Sequence, residues 1–147
     1  MRAIRHARPL SVLLLDLDRF KAVNDGHGHL CGDAVLRAVA DLLRDAVRAE
    51  DLCARYGGEE FAVVLVETGH AAAVEVAERV RAAVAEHPFR FEAAALALTV
   101  SCGVVTTCGD AGATPTDLIR EADERLYVAK GGGRNRVVGD PPAAPVT

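Results

Sequence analysis

The chain has 147 residues, of which 50% are hydrophobic and 26% charged, and a formal net charge of -4. That suits one globular domain, which at this length buries roughly 68–70% of the surface its unfolded chain would expose. The acidic balance argues against a nucleic-acid polymer or a membrane surface as partner, since both select a basic face, and no apolar run approaches the roughly 20 residues of a membrane helix. Cys31, Cys53, Cys102 and Cys108 form no C-x-x-C pair and the chain opens on no signal-peptide pattern. Reduced thiols in a cytoplasmic protein are therefore expected.

Residues 1–9 carry Arg2, Arg5 and Arg8, and Pro9 stops any helix there. The apolar run Leu10–Leu15, closed by Asp16-Leu17-Asp18, predicts a strand buried on both faces with carboxylates at its end. Asn24–Gly28 is polar and glycine-rich and predicts a loop. A helical period then runs through Val35, Leu36, Val39, Leu42, Leu43 and Val47, with Gly32 or Asp33 as its cap. Two strand-like runs, 51–56 and 61–66, flank Gly57-Gly58-Glu59-Glu60, where paired glycines are expected to supply the positive φ of a tight hairpin.

His70–His87 has the period of a second long helix, ended by Pro88. Leu96–Thr107 predicts a strand region interrupted at Gly103, and a last helix starts near Thr116-Asp117 and ends at Gly131-Gly132-Gly133. Arg136–Val138 predicts an edge strand, and Pro141–Pro145 a disordered tail. The expected fold is an α/β sandwich, a central mixed sheet flanked by helices, because the hairpin imposes an antiparallel pair.

Neighbouring strands lie about 4.8 Å apart, so Asp16 and Glu59 face one another if their strands pair. Carboxylates that close repel unless a cation sits between them. Oxygen ligands alone suit Mg²⁺, which keeps waters and takes further ligands from substrate phosphates. The residues thus suggest metal-assisted phosphoryl or nucleotidyl transfer. The plainer alternatives are a solvated strand-end Asp, a glycine turn, and ordinary edge-strand charges at Glu59 and Glu60.

Several spaced blocks go further. Leu10–Asp25, Gly28–Asp33, Arg55–Phe61, Ser101–Gly103, Ala122–Lys130 and Gly133–Asn135 stand in the order and spacing of the GGDEF family. The sequence closely resembles that family, with Gly57-Gly58-Glu59-Glu60-Phe61 as its signature hairpin and a palm-like nucleotidyl cyclase fold implied. The resemblance implies a diguanylate cyclase that condenses two GTP molecules into cyclic di-GMP and releases pyrophosphate. Two domains, each holding one GTP, meet face to face as a homodimer.

On matching positions the resemblance implies that Asp16, the Leu17 carbonyl and Glu59 bind Mg²⁺, with Mn²⁺ as the alternative ion. Glu60 is a further metal ligand or a helper in deprotonating the attacking 3′-hydroxyl. Asn24 and Asp33 read guanine, whose N1–H and 2-amino group suit a carboxylate acceptor. Lys21, Lys130 and Arg134 bind phosphate, joined by backbone N–H groups of the Asp18–Lys21 turn, Phe20 among them. Asp18 and Asp25 belong to loop architecture rather than direct contact. Arg48-Ala49-Glu50-Asp51 stands at the R-x-x-D position of a product-binding inhibitory site, with Arg79 as a weaker third member; the plain alternative is a local Arg–Asp ion pair.

By the same resemblance, the family's usual opening segment on a preceding helix, and a sensor or receiver domain ahead of it, are expected to be missing from this sequence. Residues 1–9 are therefore expected to be the end of a truncated helix or a tail, 10–139 the GGDEF domain, and 140–147 a disordered Pro/Ala-rich tail. A non-catalytic domain that binds cyclic di-GMP or GTP is the rival reading, and a loss of Glu59 or Glu60 would have favoured it; both are present. A cyclase making an adenine-containing product is the third, and Asp33 argues against it.

Overall fold

The computed structural model describes residues 8–108 and 114–139, so the expected tail at 140–147 and most of residues 1–9 lie outside it. The apolar run forms β1 (Leu10–Leu17), every residue of which after Leu10 is buried. It is the central strand of a five-stranded sheet ordered β2-β3-β1-β6-β7, where β2 is Leu52–Arg55, β3 Glu60–Val66, β6 Val100–Thr107 and β7 Val137–Val138. Pairing is antiparallel from β2 through β6, and β7 alone joins in parallel. The sheet is therefore mixed, and helices cover both of its faces.

Side chains alternate across a strand, and β1 divides its own accordingly. Leu13, Leu15 and Leu17 enter the larger core, against α2 (His29–Ala46) and α3 (His70–Glu86). Val12 and Leu14 face the other way, against α4 (Pro115–Gly131) through Ala122 and Leu126. Asp16 has the parity of Val12 and Leu14, so its carboxylate emerges on the α4 side.

That helix is well specified. Thr114 caps it with Asp117 in a reciprocal capping box, Pro115 occupies the first turn, and the Gly132 N–H closes the last turn on the Val128 carbonyl. It also lies unusually close to the sheet. A Cβ on Gly103 would strike the Ala122 carbonyl and sit 2.6 Å from the Leu126 nitrogen, so the glycine lets backbone meet backbone. The expected break at Gly103 does not occur; β6 runs through it unbroken.

Two further expectations are corrected, and one element goes beyond them. Residues 20–27 are helical, as α1 (Phe20–His27), because Phe20 and Val23 bury against the larger core and outweigh the polar Asn24–Gly28 stretch. The following helix begins at His29, with Gly28 at φ 89 making the corner, rather than at Asp33. A small hairpin of β4 (Phe89–Phe91) and β5 (Ala94–Leu96) lies outside the main sheet, with Phe89 buried. Strands of only three residues are too short to carry a period-two signal.

Candidate active site

The carboxyl end of β1 meets the β2–β3 hairpin. Register places Asp16 opposite Glu60 rather than Glu59, and opposite Ser101 on its other side. Glu59 lies one step further on, where its carbonyl accepts from the Leu17 N–H at 3.2 Å. Because Glu59 belongs to the turn, its side chain escapes strand alternation and its carboxyl comes within hydrogen-bonding reach of Asp16.

The hairpin glycines do not act as expected. Neither Gly57 nor Gly58 adopts positive φ, since residues 56–59 spread the chain reversal over a wider loop than a two-residue turn. Gly57 instead lets the Glu60 carboxyl lie close: a Cβ there would stand 2.9 Å from one of its oxygens. Arg55 donates to the Gly58 carbonyl at 2.7 Å and the Tyr56 N–H to the Glu60 carbonyl at 2.8 Å, which fixes the tip.

Asp16 is 3% exposed. Its Oδ2 accepts from Lys130 Nζ at 2.5 Å, whereas Oδ1 is buried with no donor. Glu59 cannot supply one while ionised, because two carboxylates have no proton to share. Burial pushes the Glu59 carboxyl above its ordinary range, Asp16 adds to the rise, and Lys130 opposes it. Glu60 is likewise raised, by burial first and then by Asp16 and Asp123, again opposed by Lys130. Three carboxylates and one lysine thus leave an excess of negative charge around an unsatisfied buried oxygen.

These residues fit a hard divalent cation, which would meet the orphaned Oδ1 and relieve the repulsion. No group of three or more His, Cys, Asp or Glu among the described residues closes on an ion by itself. An ion held here would draw the rest of its oxygen shell from backbone, water or substrate.

Two turns of neighbouring helices carry the residues expected to read guanine. The Asn24 amide lies directly over Gly32, whose missing side chain leaves room for it. Asp33, the next residue, is exposed and lines a groove between α2 and β2 with Arg37, Arg44 and Arg55. Phe20 is buried at the start of α1, just after Arg19 at φ 57. Lys21 is exposed and pairs with Asp25 at 3.1 Å. Arg134 stands in a loop after α4, where its N–H donates to the Ala129 carbonyl at 3.0 Å.

Arg48, Asp51 and Arg79 come together around one pocket of about 260 Å³. Asp51 is also a structural clasp: its carboxylate accepts from the Arg48 N–H at 2.9 Å and the Val66 N–H at 3.0 Å. Arg48 donates to the Val66 carbonyl and to Thr68, and Arg79 to the Ala46 carbonyl. This pocket lies at the Val66 end of β3, and the six residues back to Glu60 separate it from the carboxylates by about 20 Å.

Sequence reasoning missed Arg55 as a brace of the hairpin and Asp123 as a neighbour of Glu60. It also missed the hydroxyls of Thr99 and Ser101, which donate to Asp18 at 2.6 and 2.7 Å. The signal for the hydroxyls was Ser101 inside an apolar strand, since a buried hydroxyl needs a partner.

A mixed sheet with helices on both faces, an acidic end to its central strand and a glutamate-bearing hairpin beside it are the features of one class of domain. The chain belongs to the GGDEF family, matching the family described as diguanylate cyclase, GGDEF domain, over residues 1–136. Among individual relatives, it is 48% identical over 140 residues to the response regulator PleD of Caulobacter vibrioides, covering 94% of this chain and 31% of that protein. With diguanylate cyclase A of Treponema denticola it shares 42% over 128 residues, covering 87% and 34%. The chain therefore spans about a third of the length of these curated relatives. The solved active GGEEF domain of a diguanylate cyclase from Vibrio cholerae superposes with a TM-score of 0.86 at 37% identity, over 97% of this chain and 89% of that one. The GGDEF domain of DgcB from Caulobacter crescentus, solved in complex with c-di-GMP, gives 0.86 at 33%, over 94% and 81%.

Proposed function

We propose that this domain is a diguanylate cyclase that joins two GTP molecules into cyclic di-GMP. Each 3′-hydroxyl attacks the α-phosphorus of the other GTP. A P–O bond forms, the bond to the β-phosphate oxygen breaks, and pyrophosphate leaves with the electron pair. The observation that carries this reading is the buried, donor-less Oδ1 of Asp16 beside a Glu59 carboxyl held above its usual range.

Asp16, Glu59 and the Leu17 carbonyl would hold Mg²⁺, or Mn²⁺, with Glu60 as a further ligand. The bound ion supplies charge neutralisation for the triphosphate and a lowered barrier to loss of pyrophosphate. Asn24 and Asp33 orient guanine. Lys21, Lys130, Arg134 and the backbone N–H groups at Phe20 carry the phosphates; Lys130 lies against Asp16 and is well placed to exchange that carboxylate for a phosphate. Glu60, raised by burial and by its acidic neighbours, suits the role of accepting the 3′-hydroxyl proton.

One domain holds one GTP, so the reaction needs a homodimer. Cyclic di-GMP would bind back at Arg48, Asp51 and Arg79 as an inhibitor; that these three line one pocket supports the assignment. The cytoplasm is the proposed compartment, in keeping with four free cysteines; no helix among the described residues is long and apolar enough to cross a membrane.

The test is incubation with GTP and Mg²⁺ over a protein concentration series, with products separated by chromatography. Cyclic di-GMP formed with more than first-order dependence on protein is expected. No turnover even when the domain is fused to a forced dimeriser would leave the rival reading, a non-catalytic nucleotide-binding domain.

A further inference from the structure

Asp18 is a buried carboxylate, 4% exposed, to which the chemistry above gives no part. It follows the Asp16-Leu17 strand end directly and precedes Arg19 at φ 57, from which α1 departs. Its Oδ1 accepts from Ser101 Oγ at 2.7 Å, and its Oδ2 from Thr99 Oγ1 at 2.6 Å and the Asn135 N–H at 3.0 Å. Its own N–H donates to the Thr99 carbonyl at 2.9 Å. Three donors on one buried carboxylate satisfy the charge and hold it in a single orientation.

The far end of that network is a strained loop. Gly133, Arg134 and Asn135 have φ of 120, 65 and 47 in succession. Residues with side chains keep such a conformation only where their surroundings over-determine it, and the strain gathers at functional sites. Here the loop is held by Arg134 on the Ala129 carbonyl, by Arg81 on the Asn135 side chain at 2.9 Å, and by Asp18 on the Asn135 N–H. The contact from Asp18 ties the loop to the strand end that carries Asp16.

We infer that Asp18 is a positioning residue: it fixes the Arg134 loop, one side of the phosphate cradle, against the metal-binding end of β1. The inference rests on the cyclase reading above and deepens it. Since the guanine-reading residues Asn24 and Asp33 lie outside this network, Asp18 governs how the terminal phosphates are held, not how the base is read. A residue serving stability alone would affect both equally.

The experiment compares the affinity of the whole chain for a non-hydrolysable GTP analogue and for GMP, by competition against a fluorescent guanine nucleotide with Mg²⁺ present. Asp18→Ala is expected to weaken the triphosphate about tenfold, the scale of one lost hydrogen bond to a charged group, and to leave GMP unchanged. Asp18→Asn should restore triphosphate binding, because its amide oxygen can face Thr99 and Asn135 while its NH₂ donates to the Ser101 hydroxyl. Should Asp18→Ala fail to fold, the Thr99→Val/Ser101→Ala variant, which removes the hydroxyls that aim the carboxylate, must show the same selective loss. Equal losses for both nucleotides, or an unchanged ratio, would overturn the inference. A wild-type chain that binds GMP as tightly as the triphosphate would overturn the phosphate cradle itself, and with it the cyclase reading.

Discussion

At one end of β3, Glu60 faces an Asp16 whose Oδ1 is buried without a donor; at the other, Val66 is clasped by an Asp51 whose side chain is 2% exposed and accepts on both oxygens. Both are aspartates with buried side chains bound to one sheet, with a basic side chain beside each: Lys130 at the first, Arg48 at the second. They differ in whether the fold meets their needs. A carboxylate whose oxygens receive backbone N–H groups stabilises the native state. One left short of donors, among carboxyls raised by burial and mutual repulsion, works against it and is explained by something the fold is built to receive.

The contrast breaks most sharply at Glu59. Glu59→Gln is expected to lower cyclase activity by on the order of 10²-fold or more while raising the melting temperature of the ion-free domain, because it removes a repelled charge. Loss of both activity and stability would sink the contrast. Asp51→Ala should do the reverse, costing about 1–3 kcal/mol by stranding the Val66 and Arg48 N–H groups. Its denaturant midpoint should fall, and cyclic di-GMP binding should weaken with it. A substitution at Gly103 tests the geometry between these ends: Gly103→Ala pushes α4 off the sheet, costs about 1–3 kcal/mol and shifts Lys130 from Asp16, readable as lower stability together with weaker GTP binding.

Acidity supplies a subtler test. Glu59 and Glu60 are held above the ordinary carboxyl value of about 4.3. The folded, ion-free domain therefore binds protons the unfolded chain has already released. The sign follows: stability contributed by these groups rises as pH falls through the raised folded values toward the unfolded one, and is lost as pH climbs again. Binding of a divalent ion should run the opposite way, weakening as pH falls from above the usual carboxylate range. Melting curves and Mn²⁺ titrations over the same pH series should diverge; parallel curves would mean the carboxyls do not face the ion. The smallest effect is expected at Lys21, whose exposed pair with Asp25 is worth about 0–1 kcal/mol. Lys21→Ala should leave stability unchanged and raise only the KM for GTP.

Legibility in the sequence followed the strength of local pattern. The run Leu10–Leu15, apolar but for Ser11, reads as a doubly covered strand, and α3 announced itself through Ala77, Val80 and Val84. α1 was hidden because two buried residues, Phe20 and Val23, are too few to show a period against Asn24, Asp25, Gly26 and His27. The carboxylate cluster was legible as residue types, but which glutamate opposes Asp16 depended on where the hairpin turn ends, a one-residue question that flips faces. The glycines of that hairpin were misread for a related reason: Gly57 makes room for Glu60, and nothing in a dipeptide distinguishes space from positive φ. Asp18 stayed obscure because its partners Thr99, Ser101 and Asn135 are far from it in sequence and are brought to it only by the tertiary fold.

Whether the Asp16–Glu59 carboxylates form an ion site for GTP condensation is read most directly from Mn²⁺ binding. Paramagnetic resonance in the presence of a non-hydrolysable GTP analogue should detect a bound Mn²⁺ on the wild-type chain, lost in Asp16→Asn and in Glu59→Gln but kept in Asp51→Asn. Mn²⁺ retained by both active-end variants would contradict the account.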